Sequence, residues 1–522
     1  MAPLLLLLLT LLLSSLLLFI ISSITNSTKN NTTKNHPPLP PCPKGWPILG
    51  NLLQLGHKPH HTLHTLSKSY GPLFRLRLGS VNVVVASSAA IASAVLRSLD
   101  SNFSNRPPNS GAEHIAYNYQ DLVFAPYGPR WRNLRRLCAL HLFSTRALED
   151  FRHVREEEVA LLAGVLEKAR GMPVNVGKAV NSCATNALAR ATVGRRVFME
   201  AEEGEAGEFK EMVVELMRLA GVFNVGDFVP WLRPLDVQGV VRKMKKLHKR
   251  YDEFFDGIIK EHRRVAGGDG GGGAAAGDLL SVMLGWEDEE GGGKLSDTDI
   301  KALLLNLFTA GTDTTASTVE WALAELIRHP DILAQAQTEL DSIIGQSRLV
   351  SESDLHKLPI MQAIIKETFR LHPPTPLSLP RIASETCEAA GYQIPKSATL
   401  FVNVWAIARD PEVWHYPLEF NPSRFLPGGE HAHVDVKGSN FELIPFGAGR
   451  RICAGMSLGL RMVQFMLATL VHAFDWALPE GMSPENLDME EAYGLTLQRA
   501  VPLAANPIPR LHKDAYGPLL SI

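Results

Sequence analysis

Cys453 stands in the run Phe446-Gly447-Ala448-Gly449-Arg450-Arg451-Ile452-Cys453-Ala454-Gly455. A thiolate is a strong electron donor to iron, and haem proteins that split the O–O bond of dioxygen use one as the axial ligand. The neighbouring residue types suit that role. Gly447, Gly449 and Gly455 let the backbone turn tightly and lie close to a flat macrocycle, with N–H groups free to point at the sulfur. A free thiol has a pKa of roughly 8.5, so a bound metal must hold Cys453 deprotonated at neutral pH. Arg451 is spaced to reach a haem propionate. A dinucleotide reading fails, because Ile452 stands where G-x-G-x-x-G requires its third glycine.

A second polar group interrupts an apolar stripe at Ala310-Gly311-Thr312-Asp313-Thr314-Thr315. There Gly311 leaves room for a small ligand, the Thr314 hydroxyl donates a hydrogen bond, and Asp313 relays protons, as general acid catalysis requires. The stripe predicts the helix that carries it. Ser296 and Asp299 form a capping box, and Ile300, Leu303, Leu304, Leu307 and Phe308 recur at helical spacing. Val319, Ala322, Leu323, Leu326 and Ile327 continue the pattern until Pro330 ends it. At about 1.5 Å per residue such a helix is on the order of 50 Å long. Two shorter helical signals follow the same logic: Glu367 and Arg370 share one face, as do Trp131 and Arg135.

Taken together and in this order, these segments resemble the haem-binding signature and companion motifs of the cytochrome P-450 monooxygenases. The resemblance covers nearly everything after residue 37. It implies a mainly α fold with a smaller β region near the N-terminal third. Haem (iron protoporphyrin IX) would be bound by Cys453 as the iron ligand, with Phe446, Gly447 and Gly449 shaping the loop. Trp131, Arg135, Arg381 and Arg451 would hold the propionates, which satisfies the rule that buried charges need partners. Asp313 and Thr314 match the family's acid and alcohol pair. Glu367, Arg370 and Arg424 match its structural Glu-Arg-Arg network.

The chain has 522 residues, 45% hydrophobic, with a formal net charge of −2. It is ample for one large core, and nothing in its charge points to nucleic acid. Cys42, Cys138, Cys183, Cys387 and Cys453 are too few and scattered for a disulfide framework. No C-x-x-C or His/Cys cluster reads as a zinc site, and His431 and His433 read as part of a polar surface loop. Arg132, Arg135, Arg136 and Arg450 read equally as a docking face for an acidic reductase or as an ordinary solvated basic face.

Pro3 to Ile21 is almost wholly apolar, about the length that crosses a bilayer. No charged n-region or small-residue cleavage site marks it as a removed signal. Lys29, Lys34 and Lys44 follow it, which places the catalytic part in the cytosol and leaves the sequons at Asn26, Asn30 and Asn31 unmodified. The expected layout is therefore a transmembrane anchor over 1–22, a polar stalk with a proline-rich hinge over 23–51, and a catalytic domain over 52–522 at the endoplasmic reticulum membrane. Cys42 stands in the hinge where the microsomal members usually have glycine. Ala266–Gly277 and Glu287–Gly293 read as flexible surface loops. No flavin-binding half is visible, so NADPH-derived electrons come from a separate reductase.

Closer resemblance is to the plant flavonoid 3′-hydroxylases within that family. It is carried by Asn105-Arg106-Pro107-Pro108-Asn109, Ala116–Gly128, Pro374–Pro380, Val434–Gly438 and Glu490–Gln498. His431 departs from it, where that group usually has lysine. The resemblance implies oxygen insertion beside the 4′-hydroxyl of a flavonoid B-ring, as in naringenin or dihydrokaempferol. Leu303, Leu307, Ala310, Leu377, Leu379 and Thr496 would line an apolar pocket for it. Alternatives are a flavonoid 3′,5′-hydroxylase, another plant phenolic hydroxylase, a reductase-independent haem-thiolate isomerase, or a membrane scaffold for flavonoid enzymes.

Overall fold

The computed structural model describes residues 37–197, 205–267, 277–288 and 293–516, with Thr10 and Ser14 besides. The expected anchor (Thr10 and Ser14 apart), the sequons and most of Ala266–Gly277 lie outside the described residues. Helices dominate. In chain order the principal ones are α1 (Pro59–Tyr70), α2 (Pro129–Cys138), α3 (Arg152–Lys168), α4 (Val176–Val193), α5 (Glu205–Ala220), α6 (Val240–Gly267), α7 (Asp297–Arg328), α8 (Pro330–Ile344), α9 (Pro359–Leu371) and α10 (Met456–Ala473).

The long helix α7 is the axis around which the others pack. It starts at the expected capping box, where the Ser296 hydroxyl accepts from the Asp299 N–H and the Asp299 carboxylate accepts from the Ser296 N–H. Its 32 residues are buried almost throughout, because α4, α6, α9 and α10 cover it on different sides. The largest core cluster joins α3, α4, α7, α8, α9 and α10. Among the described residues α10 is the helix long and apolar enough to cross a membrane, yet most of it is buried in this cluster.

The β region is more dispersed than the sequence implied. β1 (Leu73–Leu78) and β2 (Val81–Ala86) form a hairpin, and β3 (Arg381–Ile382) and β4 (Thr399–Val402) complete a four-stranded sheet of order β1-β2-β4-β3. β2 and β4 run parallel, Val84 opposite Leu400, so half of the sheet comes from the C-terminal part of the chain. A hairpin of β5 (Glu491–Ala492) and β6 (Gln498–Arg499) lies apart from it. The acidic stretch is also more ordered than a flexible loop at its ends, where Glu287–Asp288 pairs with Gly293–Lys294.

Glu367, Arg370 and Arg424 form one bonded group. Arg370 donates from Nε and Nη2 to the two oxygens of Glu367 at 2.7 Å each, and Arg424 Nε donates to Oε1 at 3.2 Å. All three residues are buried. Arg370 also donates to the carbonyls of Ala408, Pro417 and Glu419, which ties α9 to the irregular segment before the cysteine loop. His431 is less superficial than a polar surface loop requires. Its ring packs 4.1 Å from the fully buried Trp414 and bonds the Val413 carbonyl.

Candidate active site

The cysteine loop is built by backbone conformation. Gly447 and Gly449 both take positive φ, +71° and +72°, the region that favours glycine. A Cβ on Gly449 would also meet the Asp100 carboxylate at 2.4 Å and the Leu96 carbonyl at 2.5 Å, so no larger residue fits there. The Cys453 N–H closes the loop on the Phe446 carbonyl at 3.0 Å. The sulfur therefore faces a cavity of about 280 Å³ between this loop and α7, whose opposite wall is Leu307, Ala310, Gly311 and Thr314. Burial pushes the Cys453 thiol up, countered in part by the Gly455 N–H and the Arg135 charge.

Positive charge is concentrated at this cavity. Arg106, Arg135, Arg381 and Arg451 all line it. Burial lowers the pKa of each, most strongly for Arg106, where the neighbouring charges of Arg381 and Arg451 add to the effect; Arg381 and Arg451 are brought down to about 10. Arg381 has one carboxylate partner, Asp100 at 3.3 Å, which also takes Arg450 at 2.8 Å. Arg451 bonds the carbonyls of Ser104 and Ala125, yet its Nη1 is buried with no partner among the described residues. A planar ligand with two carboxylates at one edge and a metal at its centre fits this donor set. It supplies the missing acceptor, offsets the surplus charge and binds a thiol that burial alone would keep protonated. Trp131 donates its indole N–H to the Leu122 carbonyl and stacks with the Arg135 and Arg451 guanidiniums, so it orients the arginines as well as lining the cavity.

A second cavity, about 540 Å³ and mostly apolar, opens on the other side of Ala310 and Thr314. The two share Arg106, Val123, Asn306, Thr375, Ser378 and Leu379 in their walls. Of the expected pocket residues, Ala310, Leu377, Leu379 and Thr496 line this second cavity, and Leu307 lines only the first. Leu303 lines neither. It lies two turns before Ala310, about 10 Å along the axis, fully buried in the cluster that includes Phe209, Tyr251 and Phe255.

The acid and alcohol pair is split. Thr314 faces both cavities, with its hydroxyl bonded back to the Ala310 carbonyl at 2.9 Å. Asp313 turns away from them and is buried, accepting from Gln498 Nε2 at 2.8 and 2.9 Å. Burial raises the Asp313 pKa, and hydrogen bonds from Thr496 and Gln498 oppose the rise. Gly311 has a packing reason beyond room for a ligand, since a Cβ there would come within 2.8 Å of Leu188 on α4.

Several site residues carried no sequence signal of their own. Asn306 accepts from the Leu122 and Val123 N–H groups and donates to Asp121, fixing the 116–126 loop on α7. The burial of Asp121 pushes its carboxyl up to about 6. Among the described residues His60, His61 and Glu491 lie close enough to share a metal ion, although no metal-binding cluster was expected. A metal-bound imidazole passes its other N–H to an acceptor, and the buried His60 Nδ1 has none. The group is instead a carboxylate clamp. Glu491 Oε2 accepts from His60 at 2.9 Å and His61 at 2.7 Å, and Oε1 accepts from the Trp405 indole at 3.1 Å. The expected basic cluster divides likewise. Arg132 is exposed, Arg136 lies over Trp286, Arg135 faces the cavity and donates one N–H to the Ile452 carbonyl at 2.7 Å, and Arg450 is neutralised by Asp100.

A cysteine loop facing a cationic cavity under a central helix, beside an apolar chamber, defines a haem-thiolate monooxygenase. The chain belongs to the cytochrome P450 family, whose model matches residues 40–502. It is 70% identical to a flavonoid 3′-monooxygenase of Crocosmia x crocosmiiflora over 92% of this chain and 94% of that one. It is 66% identical to a flavonoid 3′-monooxygenase of Oryza sativa subsp. japonica over 92% of each chain. A flavonoid 3′,5′-hydroxylase of Crocosmia x crocosmiiflora is 60% identical over 92% of this chain and 93% of its own. Among solved structures, a zebra fish cytochrome P450 with abiraterone superposes with a TM-score of 0.71 at 25% identity, covering 87% of this chain and 100% of that chain.

Proposed function

We propose that this chain hydroxylates the 3′ position of the flavonoid B-ring, converting naringenin to eriodictyol and dihydrokaempferol to dihydroquercetin. The supporting observation is the mostly apolar chamber beside Ala310 and Thr314, with Thr496 in its wall, in a chain so similar to flavonoid 3′-monooxygenases. Haem, when bound, supplies oxygen activation and insertion. Cys453 would ligate its iron and supply electron density, and Arg135, Arg381 and Arg451 would hold its carboxylates, with Trp131 steadying two of these guanidiniums.

On the opposite side Thr314 presents a hydroxyl where the two cavities meet, and Asp313 supplies the proton reserve behind it. Leu377 and Leu379 exclude water around the ring. A separate NADPH-dependent reductase delivers electrons, for which the outward Arg132 on α2 is one contact. The apolar 1–22 segment supports anchoring in the endoplasmic reticulum membrane, with residues 52–522 as the catalytic domain in the cytosol.

The test is co-expression with a plant reductase in microsomes fed naringenin. Eriodictyol is the expected product; a normal haem spectrum with no hydroxylated flavanone refutes the substrate assignment. The 60% identical 3′,5′-hydroxylase favours one second reading, which predicts a product with three B-ring hydroxyls instead.

A further inference from the structure

Asp313 is a buried carboxylate with no cation in contact among the described residues. Its hydrogen-bond donor is neutral, Gln498 of the β5–β6 hairpin. One Gln498 Nε2 reaches both carboxylate oxygens, at 2.8 and 2.9 Å, which fixes the plane of the carboxyl group. Gln498 is itself immobilised. The preceding Leu497 donates its N–H to the Pro374 carbonyl, and its own carbonyl accepts from Ser317 on α7 at 2.8 Å.

At the base of the hairpin, on the strand paired with that of Gln498, Glu491 is anchored on His60 and His61 of α1 and on Trp405. Its tip is pinned where the Leu495 N–H bonds the Met217 carbonyl of α5. Gly494 and Gly221 approach so closely that a Cβ on Gly221 would come within 2.6 Å of the Gly494 backbone. Between these fixings, Tyr493, Gly494, Leu495 and Thr496 face the larger cavity. One rigid strut thus lines the substrate chamber and ends on the acid behind Thr314.

We infer that Gln498 is a positioning residue for Asp313, and that the Glu491–Arg499 hairpin couples the seat of the substrate to the placement of this proton-relaying carboxylate. The inference rests on the proposed monooxygenase reading and assigns a residue that the signature motifs leave out. Gln498→Met nearly keeps the side-chain volume and removes the amide that donates to Asp313. If Gln498 acts through Asp313, its loss disappears once Asp313 is already disabled.

The experiment compares the full chain with Gln498→Met, Asp313→Asn and the double variant, each reconstituted with reductase. The absorbance of the reduced carbon monoxide complex serves as the control for intact protein. Flavanone hydroxylation in Gln498→Met is expected to fall in kcat by about tenfold, as for a misplaced catalytic group, with KM within twofold. The double variant is expected to match Asp313→Asn within twofold. A wild-type kcat in Gln498→Met, or losses that multiply in the double variant, overturns the inference.

A wild-type protein that makes no hydroxylated flavanone refutes the substrate reading instead. The same four proteins then answer through NADPH oxidation without substrate and through a thermal-unfolding cycle, where the pair must again be non-additive. Additivity in both overturns the inference whatever the substrate.

Discussion

Removing the Glu367 carboxylate tests whether the buried network behind the cysteine loop is held by charge. Glu367 is fully buried and accepts four hydrogen bonds, two from Arg370, one from Arg424 and one from the Asn421 N–H at 2.8 Å. Arg424 has a second carboxylate, Glu430 at 2.7 Å, but among the described residues Arg370 pairs with Glu367 alone. Glu367→Ala therefore leaves one guanidinium fully buried with only carbonyl acceptors. Breaking such a pair costs about 3–5 kcal/mol, because the remaining charge stays uncompensated. At about 2.1 cal/mol/K per residue, a cooperative unit of about 470 residues has an unfolding entropy near 1 kcal/mol/K, so Tm should fall by about 3–5 °C. Glu367→Gln keeps the volume but sets an amide N–H against guanidinium N–H groups, so it should recover little. The assay is thermal unfolding, together with the fraction of chains that give the reduced carbon monoxide complex. A Glu367→Gln protein as stable as wild type would show that shape, not charge, holds the network and would refute the reasoning.

Three further outcomes follow from the site. Cys453→Ser should abolish both the reduced carbon monoxide absorbance and flavanone turnover, which spectroscopy of the purified microsomal protein checks. Arg451→Leu removes the buried Nη1 that has no protein partner; with charge-assisted hydrogen bonds contributing about 1.5–3 kcal/mol, haem should be lost at least tenfold more readily, by transfer to apomyoglobin, while circular dichroism is unchanged. The Asp121 carboxyl, pushed by burial from 3.8 up to about 6, favours folding while protonated, and that contribution is lost as pH rises through about 6. The gap corresponds to about 3 kcal/mol, so the stability difference between pH 4 and pH 7.5 should change by about that amount in Asp121→Ser relative to wild type; identical pH slopes in denaturant titrations would contradict the assignment.

What was legible in the chain is what short sequence separation determines. The cysteine loop, the capped α7 and the Glu367–Arg370 pair each lie within one continuous segment, so glycine positions, helical spacing and residue type were enough to place them. Helical periodicity identified the face that carries Ala310 and Thr314, but not where along the axis the chamber ends, and Leu303 was misplaced for that reason. The β region was placed only in part for a related one, because the hairpin over 73–86 is local while the parallel partner of β2 is β4, which comes more than 300 residues later. The Asp121–Asn306 and Gln498–Asp313 bonds span 185 residues each and the His60–Glu491 bond spans 431. No local pattern encodes such pairings; they exist only once the helices have packed.

The parts that were not legible have a common character, and it bears on specificity. The motifs position the thiol and the arginines around the cationic cavity, whose proposed occupant does not vary with substrate. The long-range bonds instead fix the chamber walls. Asn306 holds the 116–126 loop, Arg106 bonds the Leu379 and Pro380 carbonyls, and the β5–β6 hairpin is held on both of its strands. Each bond joins a cavity-lining segment to an element already buried for another purpose. A substitution in those segments can reshape the chamber while the cysteine loop keeps its geometry. Substrate choice in this chain is therefore carried by walls that are rigid through distant partners.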